Sequence, residues 1–216
     1  MNQGYVEKSG TVTQILDVAE RLVEVRGFNG FSYADVAHEL RITSAALHYH
    51  FASKSDLGVA LITRYSSRFA DALAAVEERT TEAPVRLAAY VELYLEVLRK
   101  QRMCLCGMMA AEHETLPKPM QDAVVRFFAE NHSWLSRVLE QGMEEGTVEF
   151  TGSSDEAARL IVSSLEGAML LARLFEDIQS FQSSASHLLA GFRPGPLKAI
   201  PTPEQSVVAA KSRSKG

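Results

Sequence analysis

The spacing of apolar positions along this chain is helical almost throughout. Val12, Ile15, Leu16, Ala19, Leu22 and Val23 recur at i, i+3, i+4 and i+7. That helix is expected to stop at Gly27, a residue that readily takes the left-handed turn at a helix end. Ser32 and Asp35 form a Ser-x-x-Asp capping box, which opens a short helix carrying Val36, Ala37 and Leu40. Arg41-Ile42 is a tight connection, and Thr43 can cap a second short helix from Ser44 to about His50. A further box, Ser53 with Asp56, opens a long helix to roughly Arg79 with Leu57, Leu61, Tyr65, Phe69, Ala72 and Val76 in its stripe. Beyond Pro84 the pattern predicts a helix from about Val85 to Lys100, a Met- and Cys-rich stretch from Met103 to Ala111, and a helix from Pro117 to Glu145. A capped helix follows from Ser153 to about Phe175, then a shorter one over Phe181 to Ala190. No strand pattern competes. The expectation is an all-α protein of about nine helices, with three short helices, a long connecting helix and a bundle of about five more.

Domain limits follow the change in scale. Residues 1–53 form a small head, 54–192 the helical remainder, and the Pro-rich stretch 193–216 reads as a disordered tail. At 46% hydrophobic and 23% charged residues, the 216-residue chain lies in the globular range, which excludes wholesale disorder. No apolar run reaches the roughly 18 residues of a membrane span. The first ten residues have no signal-peptide core. Two cysteines so close together cannot frame a disulfide scaffold, so a reduced, cytoplasmic protein is expected. Phosphate-loop, dinucleotide, zinc-protease and nucleophile-elbow patterns are absent from the sequence. Neither an enzyme nor a cofactor is expected.

The most informative segment is 32–51. A capped short helix, a tight turn and a second short helix make the helix-turn-helix plan. In such motifs the N-terminal part of the second helix enters the major groove, where small side chains allow close approach. The run Phe31-Ser32-Tyr33-Ala34-Asp35-Val36-Ala37, then Leu40, Ile42, Thr43, Ala45 and Leu47, closes with Tyr49-His50-Phe51-Ala52-Ser53-Lys54 and Leu57. This run resembles the DNA-binding domain of TetR-family transcriptional regulators, over about residues 12–65. One departure is His48, where many members carry Tyr. The resemblance implies a double-stranded DNA operator as partner, a homodimer, and Tyr33, Thr43, Ser44, Ala45, Ala46, His48, Tyr49, His50 and Lys54 at the DNA. Lys54 is expected on a phosphate, while Leu47 and Phe51 are expected in the core. An all-helical interaction module without DNA binding is the alternative.

By the same resemblance the second half senses a small apolar or electrophilic effector. Tyr90, Tyr94, Met103, Cys104, Cys106, Met108, Phe127, Phe128 and Trp134 are the candidate lining, with ordinary core packing as the alternative. Three readings stay open for the cysteines: buried inert thiols, a sensor thiol activated by Arg99, Lys100 and Arg102, or a metal site with His113 or His132. No metal is expected. Glu112-His113-Glu114 reads as a solvated helix end. The helix around Leu160, Gly167, Leu171 and Leu174, with its small residues, resembles a dimer surface; intrachain core is the alternative.

Net charge is −5, which alone argues mildly against nucleic acid. Its distribution weakens that argument. From Leu40 to Ser55 there are Arg41, Lys54 and two histidines and no acidic residue. Residues 1–55 nevertheless hold five Lys and Arg against six Asp and Glu, so any DNA affinity rests on uncharged donors and helix N-termini rather than a basic field.

Overall fold

A computed structural model describes residues 3–193, with side chains from residue 10 onward; the tail expected from residue 193 lies, beyond Arg193, outside the described residues. Among them there are nine α-helices, one 3-10 turn and no strand. They are α1 (Gln3–Arg26), α2 (Tyr33–Leu40), α3 (Ser44–His50), α4 (Lys54–Arg79), α5 (Ala83–Arg99), α6 (Leu105–Ala111), α7 (Lys118–Glu144), α8 (Ser154–Leu174) and α9 (Ile178–Ala190).

Local chemistry explains most boundaries. Ser32, Ser53 and Ser153 each accept from the N–H three residues on, and Asp35, Asp56 and Glu156 return the bond to the cap N–H. These reciprocal bonds satisfy two of the N–H groups that a helix start leaves orphaned. Thr43 accepts from Ala46 N at 3.2 Å and starts α3. At the other end of α2, Arg41 takes a left-handed φ of 56°, and Ile42 N reaches back to Ala37 O at 3.0 Å. That wrap turns the chain within two residues and sets α3 against α2.

Three boundaries differ from the pattern. α5 begins at Ala83, because Pro84 is tolerated in a first helical turn, where its missing N–H has no intrahelical partner anyway. The Met- and Cys-rich stretch is itself a short helix, α6, capped by the Cys104 sulfur accepting from Gly107 N. α9 starts at Ile178, capped by Asp177, a polar start that apolar periodicity alone misses.

Burial follows the stripes. Ile15, Ala19 and Val23 of α1, Val36 and Ala37 of α2, Leu47 of α3 and Leu57 and Leu61 of α4 are all buried. α4 then leaves this head and packs on α7, which in turn lies along α8; α8 pairs with α9 and α5 closes the bundle. A single 26-residue helix therefore belongs to both halves. Gly58 makes this crossing tight, since a β-carbon there would meet Met120 of α7 and the Phe28 ring.

Ser53→Ala removes one cap of that helix. Thermal unfolding should show a loss of about 1 kcal/mol, whereas an unchanged midpoint would mean that the α4 start is held by its tertiary contacts alone.

Candidate nucleic-acid interface and effector core

α3 presents a graded surface. Leu47 is fully buried, which orients the rest of the short helix outward. Ser44, Ala45 and His48 are exposed, Ala46 and His50 are half-buried, and the Tyr49 side chain is 68% exposed. The Tyr49 ring meets the His50 ring edge-on at 5.2 Å. Tyr33 of α2 closes the other side: its hydroxyl donates to Phe51 O at 3.0 Å and its ring packs on His48 at 4.7 Å. Burial, with the nearby Asp56 charge, pushes the Tyr33 hydroxyl up to about 12, so it stays a neutral donor. His48 Nδ1 lies 3.2 Å from Ala52 O, which helps fix that ring. Thr43 is exposed, its hydroxyl engaged in capping. The sequence-predicted positions thus gather on α3 and its contact with α2, with one exception.

Lys54, expected on a phosphate, is the exception. Its ammonium is turned inward, donating to Phe28 O at 2.6 Å and to Phe31 O, and it sits 4.5 and 4.4 Å over the rings of those two residues. Burial lowers its basicity, with Glu112 and Asp35 opposing. The charge is spent on the α1–α2 turn, a use that the position of Lys54 at a helix N-terminus does not announce.

Glu112 holds the same turn from the other side, which corrects the view of residues 112–114 as a solvated helix end. Its carboxylate accepts from Phe28 N at 2.8 Å and from Asn29 N at 3.1 and 3.3 Å. The Asn29 amide adds a bond to Thr115 Oγ1 at 2.7 Å. Gly27 is essential to this approach: its φ is +82°, and a β-carbon would collide with the Glu112 carboxylate.

More ties run from the bundle to α1. Arg173 of α8 donates to Glu24 O at 2.8 Å and Val25 O at 2.6 Å, capping the C-terminal carbonyls of α1. Met103 N adds a bond to Glu24 O at 3.1 Å. Glu24 itself is buried and bonds Arg102 at 3.1 Å; burial, aided by the neighbouring Glu20 charge, outweighs that partner and pushes its carboxyl up to about 7. Buried Glu20 binds two arginines of α4, Arg64 at 2.7 Å and Arg68. Sequence reasoning missed these residues. The one available signal was that Glu20 and Glu24 are one helical turn apart, beside the buried stripe of α1.

The aromatic residues of the second half converge. The Tyr90 and Trp134 rings stack at 5.8 Å, and Phe69 meets Tyr90, Tyr94 and Phe127 edge-on at 5.9, 6.5 and 5.4 Å. Phe128 and Met108 are half-buried at the margin and Met103 is buried. A polar seam crosses this core. Tyr65 donates to Cys104 Sγ at 3.7 Å, the Tyr90 and Tyr94 hydroxyls lie 3.4 Å apart, and Tyr90 donates to Asn131 Oδ1 at 3.3 Å. Glu166 joins the seam beside Tyr94 and Cys104; burial pushes its carboxyl up to about 7, and Oε1 has no hydrogen-bond partner.

Both cysteines are buried free thiols, and burial with the Glu166 charge pushes each well above the ordinary thiol range. Two of the three neighbouring cations are engaged elsewhere, Arg99 with Glu92 and Arg102 with Glu24, and Lys100 is exposed. Of the three open readings this burial favours the inert thiols, since a thiolate is disfavoured at both positions. Among the described residues no group of three His, Cys, Asp or Glu side chains is placed to hold a metal. His132 instead lies 2.9 Å from Asp155 O.

Comparison with known proteins now decides the family. The bacterial regulatory protein, tetR family, model matches residues 15–61, and a tetracyclin repressor-like C-terminal domain model matches residues 83–188. The chain belongs to the TetR family. A TetR-family transcriptional regulator from Agrobacterium tumefaciens is 29% identical, with a TM-score of 0.84 over 87% of this chain and 100% of its own. A TetR regulator from Legionella pneumophila is 32% identical, with a TM-score of 0.76 over 83% and 96%. Transcriptional regulator AcuR of Cereibacter sphaeroides is 24% identical over 159 residues, 72% of either chain. This TetR-family chain is accordingly a DNA-binding transcriptional regulator with the head at residues 15–61, and no helix among its described residues is long and apolar enough to cross a membrane.

Raised carboxyls at Glu24 and Glu166 carry a sign. Both start from an ordinary value of 4.5, so between about pH 4.5 and 7 the unfolded chain releases protons that the folded chain keeps. Their contribution to stability therefore falls as pH rises through that window. A Glu24→Gln plus Glu166→Gln variant should gain stability relative to the parent as pH rises from 4.5 to 7.5, followed by denaturant titration; a difference independent of pH would contradict these assignments.

Proposed function

We propose that this regulator is a homodimeric repressor that reads a palindromic operator with α3 and is released by a small ligand bound in its second half. The observation that carries the DNA part is the α3 surface, with small exposed residues at the N-terminal end over a fully buried Leu47. Small side chains let the helix backbone approach base edges, while Thr43, Ser44, His48, Tyr49 and His50 supply uncharged or weakly basic donors toward phosphates and Tyr33 holds the end of α3. The proposed surface contains no Lys or Arg. Weak nonspecific binding and a shallow salt dependence follow from that composition.

Dimerisation is supported by an unusual surface on α8. Leu160, Leu170, Leu171, Leu174 and Phe175 are each more than half exposed, a larger apolar patch than a solitary chain usually leaves in water. Gly167 lies among them with open space beyond, room for a second helix to come close. Two heads on one dimer must meet half-sites about 34–36 Å apart, so a small rotation of either head breaks register. Arg173, in the last turn of α8, holds the end of α1, so a change in the bundle has a direct route to the head. The ligand reading rests on the aromatic cluster and the polar seam through it. A cytoplasmic location accompanies this reading.

A gel-shift titration with a duplex from upstream of the chain's own gene tests the proposal. The parent should bind as a dimer, and Ala45→Glu should weaken binding by more than about tenfold with an unchanged melting temperature, because it sets a carboxylate against DNA. Absence of a shift by the parent at low salt, or full binding by Ala45→Glu, would count against it.

A further inference from the structure

A cleft of about 500 Å³ opens between α4 and α7, with Phe69, Phe127 and Trp134 in its wall and Glu77, Glu130 and Arg137 around it. Three rings stand in the wall among Ala70, Leu73, Ala74 and Ala129, with Phe69 and Phe127 edge-to-face at 5.4 Å. The charged residues are all exposed and carry both signs, so they sit at the rim. Two polar side chains in the wall are buried, Asn131 and Trp134, at 3% and 4% exposure. Asn131 is committed: Nδ2 donates to Phe127 O at 2.8 Å and Oδ1 accepts from Tyr90. Trp134 is not, since its indole Nε1 has no hydrogen-bond partner. An unmatched buried N–H costs on the order of 1–3 kcal/mol, so it is seldom left unless something else uses it. Stacking on Tyr90, with planes only 18° apart, holds the indole in place.

We propose that this cleft binds an uncharged aromatic molecule bearing a hydrogen-bond acceptor oxygen, and that the Trp134 indole N–H recognises that oxygen. The inference rests on reading the second half as ligand-binding and adds where the ligand sits and what chemistry it has. Flat rings match the three rings of the wall, where edge-to-face and offset contacts add to area burial. The volume falls within the range of small-molecule sites. An inner carboxylate or ammonium would lack a counter-charge there, because the charges are confined to the rim. One neutral donor selects one neutral acceptor, such as a ketone, amide or ether oxygen.

Calorimetry on the full chain tests this with three probes of one shape: 4-acetylbiphenyl, 4-ethylbiphenyl and biphenyl-4-carboxylate. The acetyl compound should bind about tenfold more tightly than the ethyl compound, the worth of one hydrogen bond, and the carboxylate more weakly than the acetyl compound. Trp134 is the chain's sole tryptophan, so its fluorescence should change on binding. Trp134→Phe keeps a ring but removes the donor and should bring the acetyl-to-ethyl ratio to near one. Ala70→Phe, an exposed position in the same cleft, should block the acetyl compound while leaving the melting temperature unchanged. No binding by the parent, a ratio near one in the parent, a ratio kept in Trp134→Phe, or tightest binding by the carboxylate would each overturn the proposal. Gel shifts on the same samples keep the two readings separate: loss of operator binding with these ratios intact would fault the regulator reading alone.

Discussion

The α1–α2 turn is gripped from both sides by opposite charges. Glu112, at the end of α6, takes the N–H groups of Phe28 and Asn29; Lys54, the first residue of α4, takes the carbonyls of Phe28 and Phe31. Backbone groups in a turn need partners as much as those in a helix do. Here those partners come from two elements that also carry the bundle. The position of the head is therefore a consequence of where α6 and α4 sit. Charge-assisted bonds of this kind are stronger than neutral ones, and they also orient, because the carboxylate must reach successive N–H groups at once.

The remaining contacts across the same junction repeat this logic. Arg173 reaches from α8 to the last carbonyls of α1, while Glu20 and Glu24 draw arginines from α4 and from the segment before α6. Buried ion pairs of this kind are weak contributors to net stability, since desolvation offsets much of their attraction. What they supply is a defined arrangement: a charge buried at one register has no good alternative partner at another. Polar ties across this junction fix the direction of a head that also shares one continuous apolar core with the bundle, so a shift of the anchoring helices is passed to it. In a two-headed DNA reader, such coupling is what control requires. The polar seam from Tyr65 through Cys104, Tyr94 and Tyr90 to Asn131 runs beside α6, so a ligand that re-partners those groups acts close to the residue that grips the turn.

How much of this the chain announces depends on the range of the interaction. Boundaries set by neighbours within four residues were legible: the Ser32, Thr43, Ser53 and Ser153 caps, the stop at Gly27, and the burial of Leu47 and Phe51. So was the helix-turn-helix, because its spacing is local. The α8 stripe around Leu171 and Leu174 is apolar and exposed. What sequence could not show were pairings across 80 or more positions, such as Glu112 with Phe28 or Arg173 with Val25. Glu112 is followed by His113 and Glu114 and looks solvated until the fold brings the α1–α2 turn to it. The inward bonds of Lys54 were hidden for the same reason, since a lysine at a helix start satisfies the local rule for phosphate whether or not two carbonyls lie within its reach. Sequence neighbours leave the cysteines open between inert and activated thiols; the fold draws off Arg99 and Arg102 to Glu92 and Glu24 and buries both sulfurs.

If the head owes its position to the grip on the α1–α2 turn, the amides of Phe28 and Asn29 should be the sensitive reporters. Hydrogen exchange of residues 27–31 in the parent and in Glu112→Ala measures this directly. The grip predicts protected amides in the parent and at least about tenfold faster exchange in the variant, a local opening, spreading into α2 while α8 is unchanged. Equal exchange in the two proteins would contradict it and leave the head held by its apolar core alone.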